Sequence, residues 1–249
     1  MKTTKILKDM LIIAWMKSYP DFRRNPLMLL LIAMIGAIPL FFMVLFSGGN
    51  MLVHGLIGAM ISGVAFIGVM AGIQDISWDR YVKIREMIVA MPVHPASYAL
   101  GIALAPLLLS IPSVVFFGAL LASWGVFSLT ATLWTILALV VVWAAMSAIG
   151  FLISTYLFKT SMMVLNNLSN LLGIGIIFIP PVYYPETLLG NLSWISVIIP
   201  TSNVAGLIRA YMGLMPLSPE TIMVRWLILI VTTMMFVGLT SLKARWRET

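Results

Sequence analysis

One internal stretch, Gln74 to Pro95, carries six charged residues and separates long runs that carry no charge. Its six charged residues are Asp75, Asp79, Arg80, Lys83, Arg85 and Glu86. Charges at this density favour electrostatic docking of a soluble partner. An ordinary solvated loop is the alternative for this stretch.

Helical spacing sorts the stretch into two faces. The apolar stripe comprises Tyr81, Ile84, Ile88 and Met91. Asp79, Lys83 and Glu86 fall on the opposite face, where Asp79 and Lys83 have the spacing of an i,i+4 ion pair. We therefore predict an amphipathic helix over residues 75–92 that lies flat at a membrane surface with its charged face in water and ends at Pro92.

No catalytic or metal-binding motif accompanies these charges. The chain has no cysteine, two histidines (His54 and His94), and no HExxH or GxSxG sequence. A Walker A sequence is also absent, since the nearest similar segment, Phe158 to Thr160, lacks the preceding glycine. We expect no enzyme activity, metal or cofactor on this chain, and any ATP would be hydrolysed by another polypeptide.

The composition is that of a polytopic membrane protein. Of 249 residues, 61% are hydrophobic and 9% are charged, with a mean hydropathy of +1.08. Soluble domains carry roughly 25% charged residues. The net charge of +7 does not indicate nucleic acid, because its distribution along the chain follows membrane topology.

Apolar runs long enough to cross a bilayer predict an all-α fold with six transmembrane helices. The predicted spans are residues 27–46, 51–73, 97–124, 129–158, 162–179 and 223–242. Before them, residues 1–26 predict an interfacial amphipathic helix broken near Pro20 and Pro26, with a disordered basic tail as the alternative. Pro106 and Pro112 lie within the third span, where prolines usually kink a helix.

The basic residues orient this arrangement. If both termini are cytoplasmic, 13 of the 15 lysines and arginines lie in inner segments, and Arg209 and Arg225 alone lie outside. The positive-inside rule then places both termini and the 75–92 helix in the cytoplasm of a cell-membrane protein.

The outer segment, residues 180–222, is too long for a turn and too apolar for a free loop. Residues 188–199 and 204–212 predict two short helices that form an outer re-entrant hairpin, with Ser202 or Asn203 capping the second. A small extracellular subdomain lying on the membrane is the alternative.

Two further patterns concern helix packing. Small residues recur every four positions in two series on the second span, Gly55 to Gly63 and then Gly68 to Gly72, and they suit either packing within the chain or a dimer seam. They are Gly55, Ala59, Gly63, Gly68 and Gly72. A polar group on the fifth span, Asn166, Asn167, Ser169 and Asn170, suits interhelical hydrogen bonds or a pathway lining. The spans lack ionisable residues at their middles, which argues against ion coupling.

Two segments together resemble the membrane subunit of ABC transporters, in the type-2 export permease family, and the resemblance covers nearly the whole chain. One is WDRYVKIREMIVAMPVHPASYALG, in which Glu86 is followed by Pro92 and by re-entry at Gly101. The other is NLLGIGIIFIPPVYYPETLLGNLSWISVIIPTSNVAGLIRA, in which prolines after the fifth span precede a short apolar helix, a proline-polar turn and Arg209.

The resemblance implies a coupling helix docked in an ABC ATPase subunit, which would bind ATP and Mg, and a second permease copy as partner. The implied coupling residues are Trp78, Asp79, Arg80, Lys83, Glu86, Met87 and Pro92. The implied residues of the outer hairpin or gate are Pro180, Pro181, Tyr183, Tyr184, Pro200 and Arg209. The expected function is export of a hydrophobic or amphipathic substrate, such as a drug, a lipid or a lipid-linked glycan. A passive channel or scramblase without an ATPase, and a membrane-embedded assembly factor, are the alternatives.

Overall fold

The computed structural model describes residues 2–24, 26–81, 95–157 and 160–243, and this part of the chain is helical, without strands. The predicted all-α class is therefore confirmed for the described residues. In chain order the helices are α1 (Lys2–Arg24), α2 (Pro26–Ser47), α3 (Leu52–Tyr81), α4 (Pro95–Ser123), α5 (Leu129–Tyr156), α6 (Met162–Phe178), a short 3-10 helix (Glu186–Leu192), α7 (Ile195–Ile198), α8 (Pro200–Tyr211) and α9 (Pro219–Lys243).

Helix α3 is the centre of the bundle. It packs against α2, α4, α5 and α6, and most of its side chains are buried. The approach to α5 is close, because a Cβ built on Gly72 would lie 2.9 Å from the Gly150 Cα. Only residues without a side chain permit two helix backbones to come so near.

The surface of the bundle is largely apolar. Four helical segments are long and apolar enough to cross a membrane: Leu52–Asp79, Ser97–Ser123, Leu129–Tyr156 and Pro219–Thr240. Large hydrophobic side chains are exposed on α2 and α9, including Phe46 (83%) and Leu242 (84%). Apolar surface of this extent marks a membrane protein.

Short turns connect the helices. Gly48 and Gly49 join α2 to α3 with φ of 59° and 89°, values that glycine adopts without strain. Ser128 caps α5 by accepting a hydrogen bond from the Ala131 N–H at 3.0 Å.

Two predicted helix boundaries are wrong. Helix α1 continues through Pro20 to Arg24, so the predicted break at Pro20 is absent. Helix α3 does not end near Ile73 but continues without interruption to Tyr81, so residues 75–81 form its last two turns rather than the start of a separate helix. The rest of the predicted 75–92 helix lies outside the described residues.

Candidate functional site

Lys17, Asp79 and Tyr98 form a buried polar contact among three helices, which we call the basal cluster. Lys17 Nζ of α1 lies 2.7 and 2.8 Å from the two carboxylate oxygens of Asp79 on α3. The Tyr98 hydroxyl of α4 donates to Asp79 Oδ2 at 2.5 Å. Asp79 is 1% exposed, so both its oxygens are compensated by these two donors rather than by water.

The basal cluster ties together the helices that flank residues 82–94. Asp79 lies two residues before the end of α3, and Tyr98 lies in the first turn of α4. Helix α1 also packs tightly on α4, since a Cβ built on Gly101 would lie 2.7 Å from the Ile13 Cβ. A force applied at this end of the bundle is therefore shared by α1, α3 and α4.

The structure corrects the predicted environment of Asp79 in the coupling segment. Asp79, expected in water and paired with Lys83, is buried and paired with Lys17 instead. Tyr81, expected on the membrane-facing apolar stripe, is 70% exposed, and its place on that stripe stays a prediction. The local periodicity placed Asp79 in water because it contained no information on α1.

The other predicted coupling residues divide between described and undescribed parts of the chain. Trp78 is 52% exposed on α3 and contacts the Tyr81 ring, and Arg80 lies in the last turn of the same helix. Lys83, Glu86, Met87 and Pro92 lie outside the described residues, so their proposed docking role stays a prediction.

At the opposite end of the bundle, Glu186, Ser196, Asn203, Arg209 and Arg225 form a second buried polar group, the apical cluster. Gly58 of α3 contacts Tyr183 near this end, and it is 21 residues before Asp79, or about 30 Å along the helix.

One carboxylate holds the apical cluster together. Glu186 forms an ion pair with Arg225 of α9 and accepts a hydrogen bond from the Ser196 hydroxyl. The Asn203 side-chain amide donates to the Arg225 carbonyl oxygen at 3.0 Å. These contacts join the 3-10 helix, α7 and α8 to α9.

Arg209 is the second cation of the apical cluster and is 1% exposed. Its guanidinium donates to the Pro181 carbonyl oxygen at 3.1 Å and to the Val182 carbonyl oxygen. Burial lowers the pKa of Arg209 to about 10, against the opposing effect of Glu186, so Arg209 is charged at neutral pH. The cluster therefore buries two positive charges against one negative charge.

Donors remain without partners among the described residues of the apical cluster. They are Arg209 Nε, Arg225 Nε and Arg225 Nη1. Space around them is small, because a Cβ on Gly206 would overlap Arg225 Nη1. The apical cluster therefore holds its helices together and is not an open binding site.

Tyr183 anchors the segment before the apical cluster inside the bundle. Its hydroxyl donates to Ser62 Oγ of α3 at 2.7 Å and lies 3.2 Å from the Gly36 carbonyl oxygen of α2. Burial raises the pKa of Tyr183 above its ordinary value. The ring therefore joins the 179–185 segment to two helices.

The remaining predicted outer residues surround these contacts. Pro180 and Pro181 are buried, Tyr184 is half-buried, and Pro200 is the first residue of α8. The predicted cap by Ser202 or Asn203 is wrong, because Ile199 precedes the helix and makes no side-chain cap. Proline at the first helical position needs no N–H acceptor, which favours this start.

The polar group on α6 and the small residues of α3 both form contacts with other helices of this chain. Gln74 Nε2 donates to Asn166 Oδ1 at 2.6 Å and to Ser169 Oγ at 2.7 Å, so part of the polar group on α6 bonds to α3. The small residues of α3 lie in helix contacts of this chain, as where a Cβ on Gly68 would lie 3.3 Å from Met146 Cβ. Packing within the chain thus accounts for the pattern.

Sequence reasoning missed Lys17, Tyr98, Glu186 and Arg225 as site residues. For the apical cluster a signal existed: Glu186 is an acidic residue in an apolar segment that also holds Arg209, and Arg225 follows soon after. Opposite charges in such a segment must pair if they are buried. For Lys17 and Asp79, separated by 62 positions, no local pattern indicates contact.

The described residues hold no group of three or more histidines, cysteines or carboxylates that could bind a metal ion. The two clusters can hold helices together, since each joins several helices at one end of the bundle.

Comparisons with protein-family models, curated proteins and solved structures give no match to this chain.

Proposed function

We propose that this chain is the membrane-spanning permease subunit of an ATP-driven ABC exporter. In this proposal it has six spans, its termini and residues 82–94 face the cytoplasm, a separate ATPase docks there, and a second permease copy completes the pathway. The substrate is hydrophobic or amphipathic, in keeping with the apolar bundle. The sequence resemblance described above supplies the family and the direction of transport.

The observation that carries the proposal is the basal cluster. Asp79 ties α3 to α1 and α4 at the point where the chain enters the charged 82–94 segment. A motor that moves this segment would move three helices together, because the buried ion pair resists separation. A passive channel has no need of such a linkage.

The distribution of charge also supports the proposal. Helices α3 and α9 carry their acidic and basic residues toward their ends: Asp79 near the end of α3, Lys243 at the end of α9, and Arg225 in the second turn of α9. Ion-coupled transporters usually bury ionisable residues at the middle of their helices. Uphill transport by this chain would therefore take its energy from another subunit.

Six spans require two helices besides the four candidates. Helix α2 has 22 residues and α6 has 17, and both are apolar. At 1.5 Å per residue they extend about 33 and 26 Å, against a hydrocarbon core of about 30 Å. Six crossings return the carboxyl end to the side of the amino end.

The test is co-purification from native membranes, followed by ATP hydrolysis assays. The wild-type chain should bring down a protein with a Walker A sequence and stimulate its ATP hydrolysis. Glu86→Arg should weaken this docking by about tenfold or more, since like charges across an interface cost several kcal/mol. Glu220→Arg is the matched control, because Glu220 is exposed in the first turn of α9 at the apical end. Unchanged docking and hydrolysis in Glu86→Arg would count against the proposal.

A further inference from the structure

A cavity of about 400 Å³ opens at the carboxyl end of α1, where Tyr19, Pro20, Arg23 and Arg24 line it. This volume is within the range of small-ligand sites. Arg23 Nη1 donates to the Tyr19 hydroxyl at 3.1 Å, and its Cζ lies 6.0 Å from the ring centroid. The Arg23 guanidinium is thus positioned against one wall of the cavity.

The cavity is strongly basic. Arg23 and Arg24 are exposed, and no carboxylate among the side chains that the structure describes forms an ion pair with either of them. Two neighbouring guanidinium groups repel each other unless an anion lies between them. Guanidinium groups bind phosphate oxygens in bidentate fashion, so a phosphate group is an anion that the arginines lining this cavity can bind.

An exposed apolar row leads along α1 toward this cavity. Leu7, Leu11 and Trp15 recur every four residues and are 51%, 57% and 58% exposed. The Trp15 ring stacks on Tyr19 with centroids 5.3 Å apart, which continues the row to the cavity wall. A free phosphate ion would make no use of this row, whereas the acyl chain of a lipid would cover it.

We infer that Tyr19, Arg23 and Arg24 bind the headgroup phosphate of an anionic phospholipid whose acyl chains contact the exposed row of Leu7, Leu11 and Trp15. Tryptophan and tyrosine rings between an apolar row and a basic end have the order expected at a headgroup layer. This inference goes beyond the proposed function and needs no ATPase, only that α1 lies at the membrane surface.

The test uses the full chain in phosphatidylcholine vesicles with a small amount of spin-labelled phosphatidylglycerol, and spin-labelled phosphatidylcholine as reference. The wild-type chain should prefer the anionic lipid. The double substitution Arg23→Gln, Arg24→Gln should lower that preference by about fivefold or more, since each basic residue at a lipid surface contributes on this scale. The matched control, Lys5→Gln with Lys8→Gln, removes the same charge from exposed positions of α1 outside the cavity and should retain most of the preference.

Tyr19→Phe is a second variant, which keeps the ring but removes the hydroxyl that receives the Arg23 bond. It should lower the preference by about twofold, the loss of one hydrogen bond that positions a charged group. This variant preserves the packing of α1 and so provides a result even if the double substitution disturbs folding.

Three outcomes would overturn the inference. An equal loss in both double substitutions would mean diffuse surface charge without a site. Complete competition by excess inorganic phosphate would mean a site for the free ion. Retained lipid preference with lost co-purification of an ATPase in the arginine variants would assign the surface to a protein partner. Because the lipid measurement uses the chain alone, its failure is distinguishable from failure of the proposed ATPase docking.

Discussion

Lys17 and Asp79 are 62 positions apart in the sequence and form a buried ion pair at 2.7 Å that joins α1 to the last two turns of α3. The Lys17 side chain is 26% exposed and the Asp79 side chain is 1% exposed, so water screens the charge of Lys17 but does not reach that of Asp79. The Tyr98 hydroxyl adds a third helix to the same carboxylate.

Asp79→Asn should destabilise the chain by about 2–4 kcal/mol, because it leaves the Lys17 ammonium against a neutral amide in a poorly hydrated contact. For a chain of this size each kcal/mol corresponds to about 2–4 °C in the melting temperature. Thermal unfolding in detergent measures the shift.

Asp9→Asn is the control for that substitution, since Asp9 is on α1 and forms no ion pair within the described residues. Its melting temperature should stay within about 2 °C of wild type. Equal shifts for the two variants would contradict the importance of the Lys17 contact.

In the apical cluster, Glu186→Gln should cost more stability than Arg225→Gln. The first leaves Arg209 and Arg225 buried without a counter-charge, whereas the second leaves Glu186 with Arg209 as counter-charge. We expect about 3–5 kcal/mol for Glu186→Gln and about half of that for Arg225→Gln. Melting temperatures in the reverse order would show that Glu186 is not the residue that compensates both arginines.

Gly150→Ala should destabilise the bundle by about 1–3 kcal/mol, because the added methyl would lie 2.6 Å from the Val69 carbonyl oxygen of α3. Gly118→Ala on α4 is the matched control, since its Cβ would meet no atom within 4 Å. That control should be neutral or stabilising by up to about 1 kcal/mol. Chemical or thermal unfolding of both variants gives the comparison, and a neutral Gly150→Ala would refute the close α3–α5 contact.

Tyr183 should make stability depend on alkaline pH. Its pKa is raised above the ordinary value of 10.0, so the unfolded chain loses this proton first as pH rises. The Tyr183 contribution is therefore complete below pH 10 and decreases above it. Tyr183→Phe should reduce stability at pH 8 by about 1 kcal/mol, the worth of one buried hydrogen bond, and the gap to wild type should narrow between pH 10 and 11.5.

Because both proteins share every other titrating group, the difference between them isolates the Tyr183 contribution. Melting temperatures measured at matched pH provide it. A gap that stays constant or widens above pH 10 would contradict the burial of this hydroxyl.

The helices were largely predictable because apolar run length determines them. The predicted spans 27–46 and 162–179 correspond to helices α2 and α6 within one residue at each end. The end of α3 was not predictable, because Gln74 to Tyr81 is polar yet stays helical against α6 and α1. Gln74 bonds to Asn166 and Asp79 to Lys17, and both contacts depend on the tertiary fold.

The candidate site was predictable in part. The outer residues Tyr183 and Arg209 were singled out by resemblance, and the structure places both in buried contacts. Their partners were not identified, because Ser62 and Gly36 are unremarkable in an apolar helix and become partners only when the 179–185 segment folds back. Local periodicity describes one helix and contains no information on the helix that packs against it.

Single-cysteine labelling tests the central claim, that a separate ATPase acts on the basal end of this chain, most directly. The 249 residues contain no cysteine, so Glu86→Cys introduces one thiol in the charged 82–94 segment and Thr187→Cys introduces one at an exposed apical position. A membrane-impermeant maleimide should label residue 86 from the cytoplasmic side alone and residue 187 from the opposite side alone, and the bound ATPase should protect residue 86 from labelling. Labelling of residue 86 from the outer side, or equal labelling with and without the ATPase, would contradict the account.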